Sequence, residues 1–172
     1  MSQWLQNERK ILEMQNKNAA SPLKRLMAPK KKLTFAAEFL EKLHLSPEEL
    51  EQFDAEMMAE PMVYIYNGKN GESSIYITEH YMRAAFIYRN EIDYGIFRLS
   101  DIAKTYCAQS KNPSIIKPKG RFYDVYFFDA NGKRMGGISF TKEEDFKTFN
   151  TAMETYSPNT RLNVPAEEVK LK

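Results

Sequence analysis

Apolar and polar positions follow three different rhythms along the chain. Over residues 1–32 a helical stripe of Trp4, Leu5, Ile11 and Leu12 fades after Asn18, where Pro22, Pro29 and the Lys30-Lys31-Lys32 run break it. Like charges packed that closely repel one another, so this stretch reads as a loosely ordered basic arm. Residues 34–60 follow the period of two short helices. Thr34 is placed to cap a helix bearing Phe35, Phe39, Leu40 and Leu43. Ser46-Pro47-Glu48-Glu49 then starts a second, with a capping serine, proline at the first helical position and a glutamate that completes a capping box. The second helix carries Leu50, Phe53 and Met57 on one face and must stop before Pro61. Helices this short do not hold alone, so this hairpin requires a surface to dock on.

From residue 62 the period drops to two. Val63 and Ile65 alternate with Tyr64 and Tyr66, and beyond a turn rich in Asn and Gly, Ile75 and Ile77 alternate with Tyr76, which predicts a β-hairpin. Further strands are predicted over Tyr81–Tyr88, Ile92–Arg98, Ile102–Ala108, Phe122–Phe128 and Met135–Phe140, the last two joined through Asn131-Gly132. Thr141-Lys142-Glu143-Glu144 reads as another capping box. It opens a helix over about 142–156 with Phe146, Phe149, Met153 and Tyr156 on one stripe, ended by Ser157-Pro158. The expected organisation is a helical N-terminal extension (1–61), a strand-rich domain (62–156) and a C-terminal tail (157–172). About seven strands and one amphipathic helix make an α+β fold. Curling into an antiparallel barrel plugged by the helix would hide one face of the sheet and protect its edges.

Several of these features together resemble a known family. Tyr76-Ile77-Thr78-Glu79-His80-Tyr81 between early strands, Asp101-Ile102 at the opening of the middle strand, the Asp129-Ala130-Asn131-Gly132-Lys133 hairpin and the final helix are similar to the bacterial pleckstrin-homology-like (PH-like) domains, many of them uncharacterised. The resemblance covers about residues 62–156 and omits the helical extension, which that fold does not require. It implies a PH-like barrel and a binding or scaffolding module, although a fold alone does not fix a function.

Composition narrows the chemistry. At 172 residues the chain is one domain, or one domain with a helical extension. Cys107 is the only cysteine, which excludes an internal disulfide and cysteine-rich zinc sites and fits a reducing compartment. The longest apolar runs, Met62–Tyr66 and Ala84–Tyr88, are far shorter than the ~20 residues a membrane-spanning helix needs. The first residues lack the apolar core of a secretory signal, and the expected location is the cytoplasm. No cofactor and no metal is expected. The net charge of +2 hides an uneven distribution. Residues 1–32 carry 8 basic and 2 acidic side chains, residues 33–62 carry 1 and 8, and residues 63–172 carry 16 and 13.

The candidates for catalysis have plain structural readings. His44 falls at a helix end, His80 in a turn, and Cys107 on a strand where a small buried thiol is the default. Gly132-Lys133-Arg134-Met135-Gly136-Gly137 feeds a strand, whereas a phosphate-binding loop feeds a helix. The expectation is therefore a binding module that is not an enzyme, with a protein as its partner. An enzyme with a pocket that sequence reading does not see is the alternative from another class. Two surfaces stand out. Lys111, Lys117, Lys119 and Arg121 lie in or beside one predicted loop free of acidic residues, which with the basic arm is a candidate for weak binding of an anionic surface, membrane or nucleic acid. Nucleic acid is disfavoured as a partner because the chain is close to neutral overall. Tyr64, Tyr66 and Tyr76 form an outward stripe that is either a partner surface or the seat of the helical hairpin, and the second resolves two apolar surfaces together.

Overall fold

The computed structural model describes residues 2–8, 36–66, 74–88, 91–111 and 121–169. Helical residues 3–8 (α1) and 36–42 (α2) are followed by helix α3 (Pro47–Met58). Seven strands come next: β1 (Val63–Tyr66), β2 (Ser74–Ile77), β3 (Tyr81–Tyr88), β4 (Glu91–Arg98), β5 (Lys104–Lys111), β6 (Arg121–Phe128) and β7 (Arg134–Phe140). Helix α4 (Glu143–Tyr156) completes the order. Most of the basic arm, together with Thr34 and Phe35, lies outside the described residues. No helix among the described residues is long and apolar enough to cross a membrane.

Local signals act as the sequence leads one to expect at α3. Ser46 Oγ accepts from Glu49 N at 3.2 Å while Ser46 N donates to Glu49 Oε2 at 2.8 Å, and the helix ends at Ala59 ahead of Pro61. The start of α4 differs. Lys142 is the N-cap and no side-chain capping bond forms. Glu143, Glu144 and Asp145 instead fill the first turn, where carboxylates complement the helix dipole. Glu143 is engaged by Lys147 Nζ at 2.8 Å and Tyr123 Oη at 3.3 Å.

The strands form two antiparallel sheets, in the orders β1-β2-β3-β4 and β5-β6-β7. They do not close into the expected barrel, and the reason lies where the sheets part. Asp101-Ile102, expected to open the middle strand, belongs to a 3-10 turn over Leu99–Asp101 in which Ile102 N donates to Leu99 O at 3.2 Å. The outer edge of β5 is then taken by residues that follow α4. Lys104 bridges Arg161 in parallel, Thr105 N donates to Arg161 O at 2.9 Å, and Val164 N donates to Thr105 O at 2.8 Å. These residues occupy the start of that edge, at Lys104 and Thr105, where β4 would otherwise run on into β5. The expected tail is thus a strap over residues 157–169. Ser157 Oγ and Thr160 Oγ1 donate to Leu99 O and Ile102 O at 3.0 and 2.6 Å, and Val164 is buried.

Strand alternation places Ile65, Ile75, Ile77, Met82, Ala84 and Phe97 of the first sheet against Tyr123, Val125, Phe127, Ile138 and Phe140 of the second, and α4 adds Phe149, Ala152 and Met153. Phe97 reaches from one sheet to the other. Its ring fills a slot over Gly95 and Gly136, where a β-carbon would come within 2.4 and 2.8 Å of it, so both positions need glycine for close approach.

A second core covers the opposite face of the first sheet. Tyr81 and Ile96 meet Trp4, Ala36 and Phe53, with Phe39, Leu40, Leu43, Leu50 and Met57 packed around them. Trp4 stands edge-on to Phe53 at 5.3 Å and Phe53 edge-on to Tyr81 at 5.0 Å. The reading of residues 1–32 as a loose arm therefore fails for residues 2–8. Trp4 is only 4% exposed, because a face that α3 covers in part still needed an apolar lid.

Candidate partner-binding site

The hairpin of helices docks on the sheet face that bears the tyrosines, but over Tyr81 and Ile96 of β3 and β4. At the other end of this face Tyr64 remains 49% exposed and leans on Tyr76, with ring centroids 4.9 Å apart. Arg83 lies over the Tyr76 ring at 5.3 Å. The side chain of Tyr66 lies outside the described residues. Two further large apolar side chains are exposed nearby in the chain: Met58 at the end of α3, 50% exposed, and Met62 just before β1, 56% exposed. Sequence reading missed both. Met58 falls one position beyond the buried stripe of α3, and Met62 was counted with a strand it only precedes.

Two structural facts shape this surface. β1 is the outermost strand of its sheet, and among the described residues no strand pairs with its outer edge. Residues 61–66 carry no charge, the usual guard of an open edge. Between β1 and α4 runs a cleft of about 390 Å³ lined by Val63, Thr148, Thr151, Ala152 and Thr155, with Lys147 at its side. An extended segment can pair with such an edge and rest side chains in the cleft.

The other predicted anchors separate. In the β5–β6 register Lys111 stands opposite Arg121, but their side chains, and the whole of Lys117 and Lys119, lie outside the described residues. His44 adopts a left-handed backbone (φ 48°) in the turn after α2 and is exposed. Among the described residues no cluster of three or more His, Cys, Asp or Glu side chains is placed to hold a metal.

His80 takes part in a latch. Its Nδ1 lies 2.6 Å from Glu56 Oε1, its backbone N donates to Glu56 Oε2 at 3.0 Å, and Thr78 Oγ1 donates to the same oxygen at 2.8 Å. Gln52 Nε2 is 3.0 Å from Glu56 Oε1. One carboxylate of α3 thus pins the β2–β3 turn. The turn, through Glu79 and His80, borders a cleft of about 260 Å³ that also meets Arg98, Ser157 and Thr160. Burial pushes the Glu56 carboxyl up, but the bonds from Thr78, His80 and Gln52 outweigh it and hold the group below the ordinary glutamate range. A carboxyl lowered on folding stabilises above its unfolded pKa, and that contribution is lost as pH falls through the folded value. Urea melts at pH 7 and pH 3 are expected to show wild type more stable than Glu56→Gln at the first and level with it at the second. An equal gap at both would contradict the latch.

Cys107, on β5, is partly buried and packs against the core between the sheets, where a fully buried thiol was expected. Burial, with the charge of Asp124 in support, pushes its thiol up to about 11. The thiolate is the reactive form, so alkylation by iodoacetamide at pH 8 is expected to run roughly 100-fold slower in the folded chain than in urea. Equal rates would mean an activated thiol.

Comparison with protein-family models, with curated proteins and with solved structures finds no match to this chain.

Proposed function

We propose that the chain is a cytoplasmic PH-like binding or scaffolding module that works without catalysis and offers a protein partner the surface around Met58, Met62 and Tyr64. The carrying observation is that the exposed large hydrophobic side chains among the described residues all fall within residues 58–64, the segment that leads from the end of α3 into the edge strand β1. Half-exposed methionines and a tyrosine within seven residues of chain are costly to leave in water and suit an interface.

The PH-like reading draws support from seven antiparallel strands, paired in chain order within a four-stranded and a three-stranded sheet, followed by a helix whose apolar face enters the shared core. The Thr78–Tyr81 segment adds to it as a built turn, with Thr78 N donating to Tyr81 O at 2.8 Å and Tyr81 N to Thr78 Oγ1 at 3.1 Å. So does the Asp129–Lys133 hairpin, where Asp129 Oδ1 accepts from Asn131 N and Lys133 N and Gly132 takes a φ of 76°. The non-catalytic reading rests on the uses found for the candidate groups: His80 bonded into a latch, and Cys107 held as a neutral thiol.

A photo-crosslinking residue placed at Tyr64 or Met62 in cells tests the surface. The expected result is a discrete protein adduct at both positions and none at exposed Glu154 of α4. Adducts at Glu154 alone, or the same adducts at all three, would overturn it.

A further inference from the structure

The outer face of the second sheet carries an aromatic row. In register across its three strands, Tyr106 of β5 stands opposite Tyr126 of β6, and Tyr126 opposite Gly137 of β7. Alternation turns this row away from the core between the sheets, which takes Cys107, Val125 and Ile138 instead. The two rings lie within 15° of parallel with centroids 6.3 Å apart, and both residues are only partly buried. Gly137 keeps the end of the row flat, since a β-carbon there would stand 3.1 Å from Tyr126 Cδ1. Arg134 of β7 is exposed and sets its guanidinium 4.4 Å over the Tyr126 ring, and Lys104, two residues before Tyr106 and so on the same face, is partly exposed. No helix among the described residues packs on this face, because α4 enters the core between the sheets and α1–α3 pack on the first sheet.

Positive charge gathers on the same sheet. Residues 104–142, which span β5 to β7, carry 8 basic and 2 acidic side chains, whereas the rest of the chain carries 17 and 21. The near-neutrality of the whole chain hides this division. Both acids are engaged within the sheet: Asp124 Oδ1 accepts from Ser139 Oγ at 2.5 Å, and Asp129 Oδ1 accepts from the backbone N of Asn131 and Lys133 at 2.9 and 2.8 Å. We propose that this face binds a single strand of nucleic acid, its bases stacking on Tyr106 and on the Arg134–Tyr126 pair and its phosphates meeting Lys104 and Arg134. Charge complementarity selects a polyanion, and the rings select among polyanions. Unpaired bases stack on tyrosine rings and on guanidinium planes whatever their sequence. A duplex keeps its base faces in its own stack and gains only the phosphate contacts, while a lipid headgroup uses the charge and leaves the rings idle. The site is distinct from the surface of residues 58–64, which belongs to α3 and the edge of the first sheet.

Fluorescence polarisation of labelled oligouridylate and oligothymidylate, each about ten nucleotides long, titrated with the full chain tests this. Both are expected to bind, since rings and guanidinium do not read the sugar, and a duplex of the same length is expected to bind more weakly. The logarithm of affinity is expected to fall with the logarithm of salt concentration by about 0.7 per phosphate neutralised, and Arg134→Glu to lower both the affinity and that slope. Tyr106→Leu and Tyr126→Leu, at unchanged melting temperature, are expected to weaken binding by about 5-fold or more while leaving the slope as it is. Ultraviolet crosslinking of the oligouridylate to the wild-type chain needs no variant, and mass spectrometry should place the adduct on Tyr106 or Tyr126. No binding at low ionic strength, tighter binding of the duplex, wild-type affinity in Arg134→Glu, or adducts confined to other segments would overturn the proposal. So would capture of phosphatidylserine vesicles at a salt concentration where neither oligonucleotide binds, since the charge would then serve a membrane.

Discussion

Replacing Phe149 with alanine is expected to lower the unfolding free energy by about 3–5 kcal/mol, the range for deleting a fully buried aromatic. Phe149 sits where α4 enters the space between the sheets, 5.4 Å from Phe140 and 6.0 Å from Phe127, and is fully buried with Met153 beside it. Helix α4 and the second sheet meet at this ring. The cavity left behind cannot collapse easily, because Phe127 is also held by Phe97, which is wedged over Gly95 and Gly136. Urea denaturation measures the loss. A change below about 1 kcal/mol would mean that the helix only rests on the sheets.

Phe53→Ala is expected to cost about as much, roughly 3–5 kcal/mol, but in a different place. Phe53 is the centre of the second core, between Trp4 and Tyr81. Its loss removes the seat of α1 while leaving the core between the sheets intact. Trp4, the only tryptophan, reports this directly. Its emission is expected to shift to the red under native conditions in Phe53→Ala, and to stay unshifted in Phe149→Ala until the chain unfolds. Coincident behaviour of the two variants would mean that the two cores melt as one unit.

What the sequence made legible was local. The alternation of Val63 and Ile65 with Tyr64, the serine box before α3 and the Asn131-Gly132 turn each involve residues within a few positions, where period and capping chemistry decide. What it hid was set by distant pairings. The division into two sheets depends on the Leu99–Asp101 turn and on Arg161 reaching the edge of β5, and no signal around Asp101-Ile102 distinguishes a turn from the opening of a strand. The docking of residues 2–8 depends on Asp54, which accepts from Ser2, Gln3 and Trp4, and on Arg83, which pairs with Glu8. Asp54 is one of eight acids in residues 33–62 with nothing local to set it apart, and Arg83 is one residue inside a strand. The alternation puts Tyr64 and Tyr76 on the face away from the core between the sheets, but which end of that face the helices cover follows from packing against Tyr81 and Ile96, which the alternation of one hairpin does not reveal.

The account turns on the apolar patch being a protein interface. Its most direct measurement is quantitative co-purification from native lysate, comparing the wild-type chain with a Met62→Glu, Tyr64→Glu double variant. Both positions are about half exposed, so the variant is expected to melt within a few degrees of wild type. The expected result is a defined protein captured by wild type and lost from the variant at equal stability. The same proteins retained by both chains, in the same amounts, would contradict it.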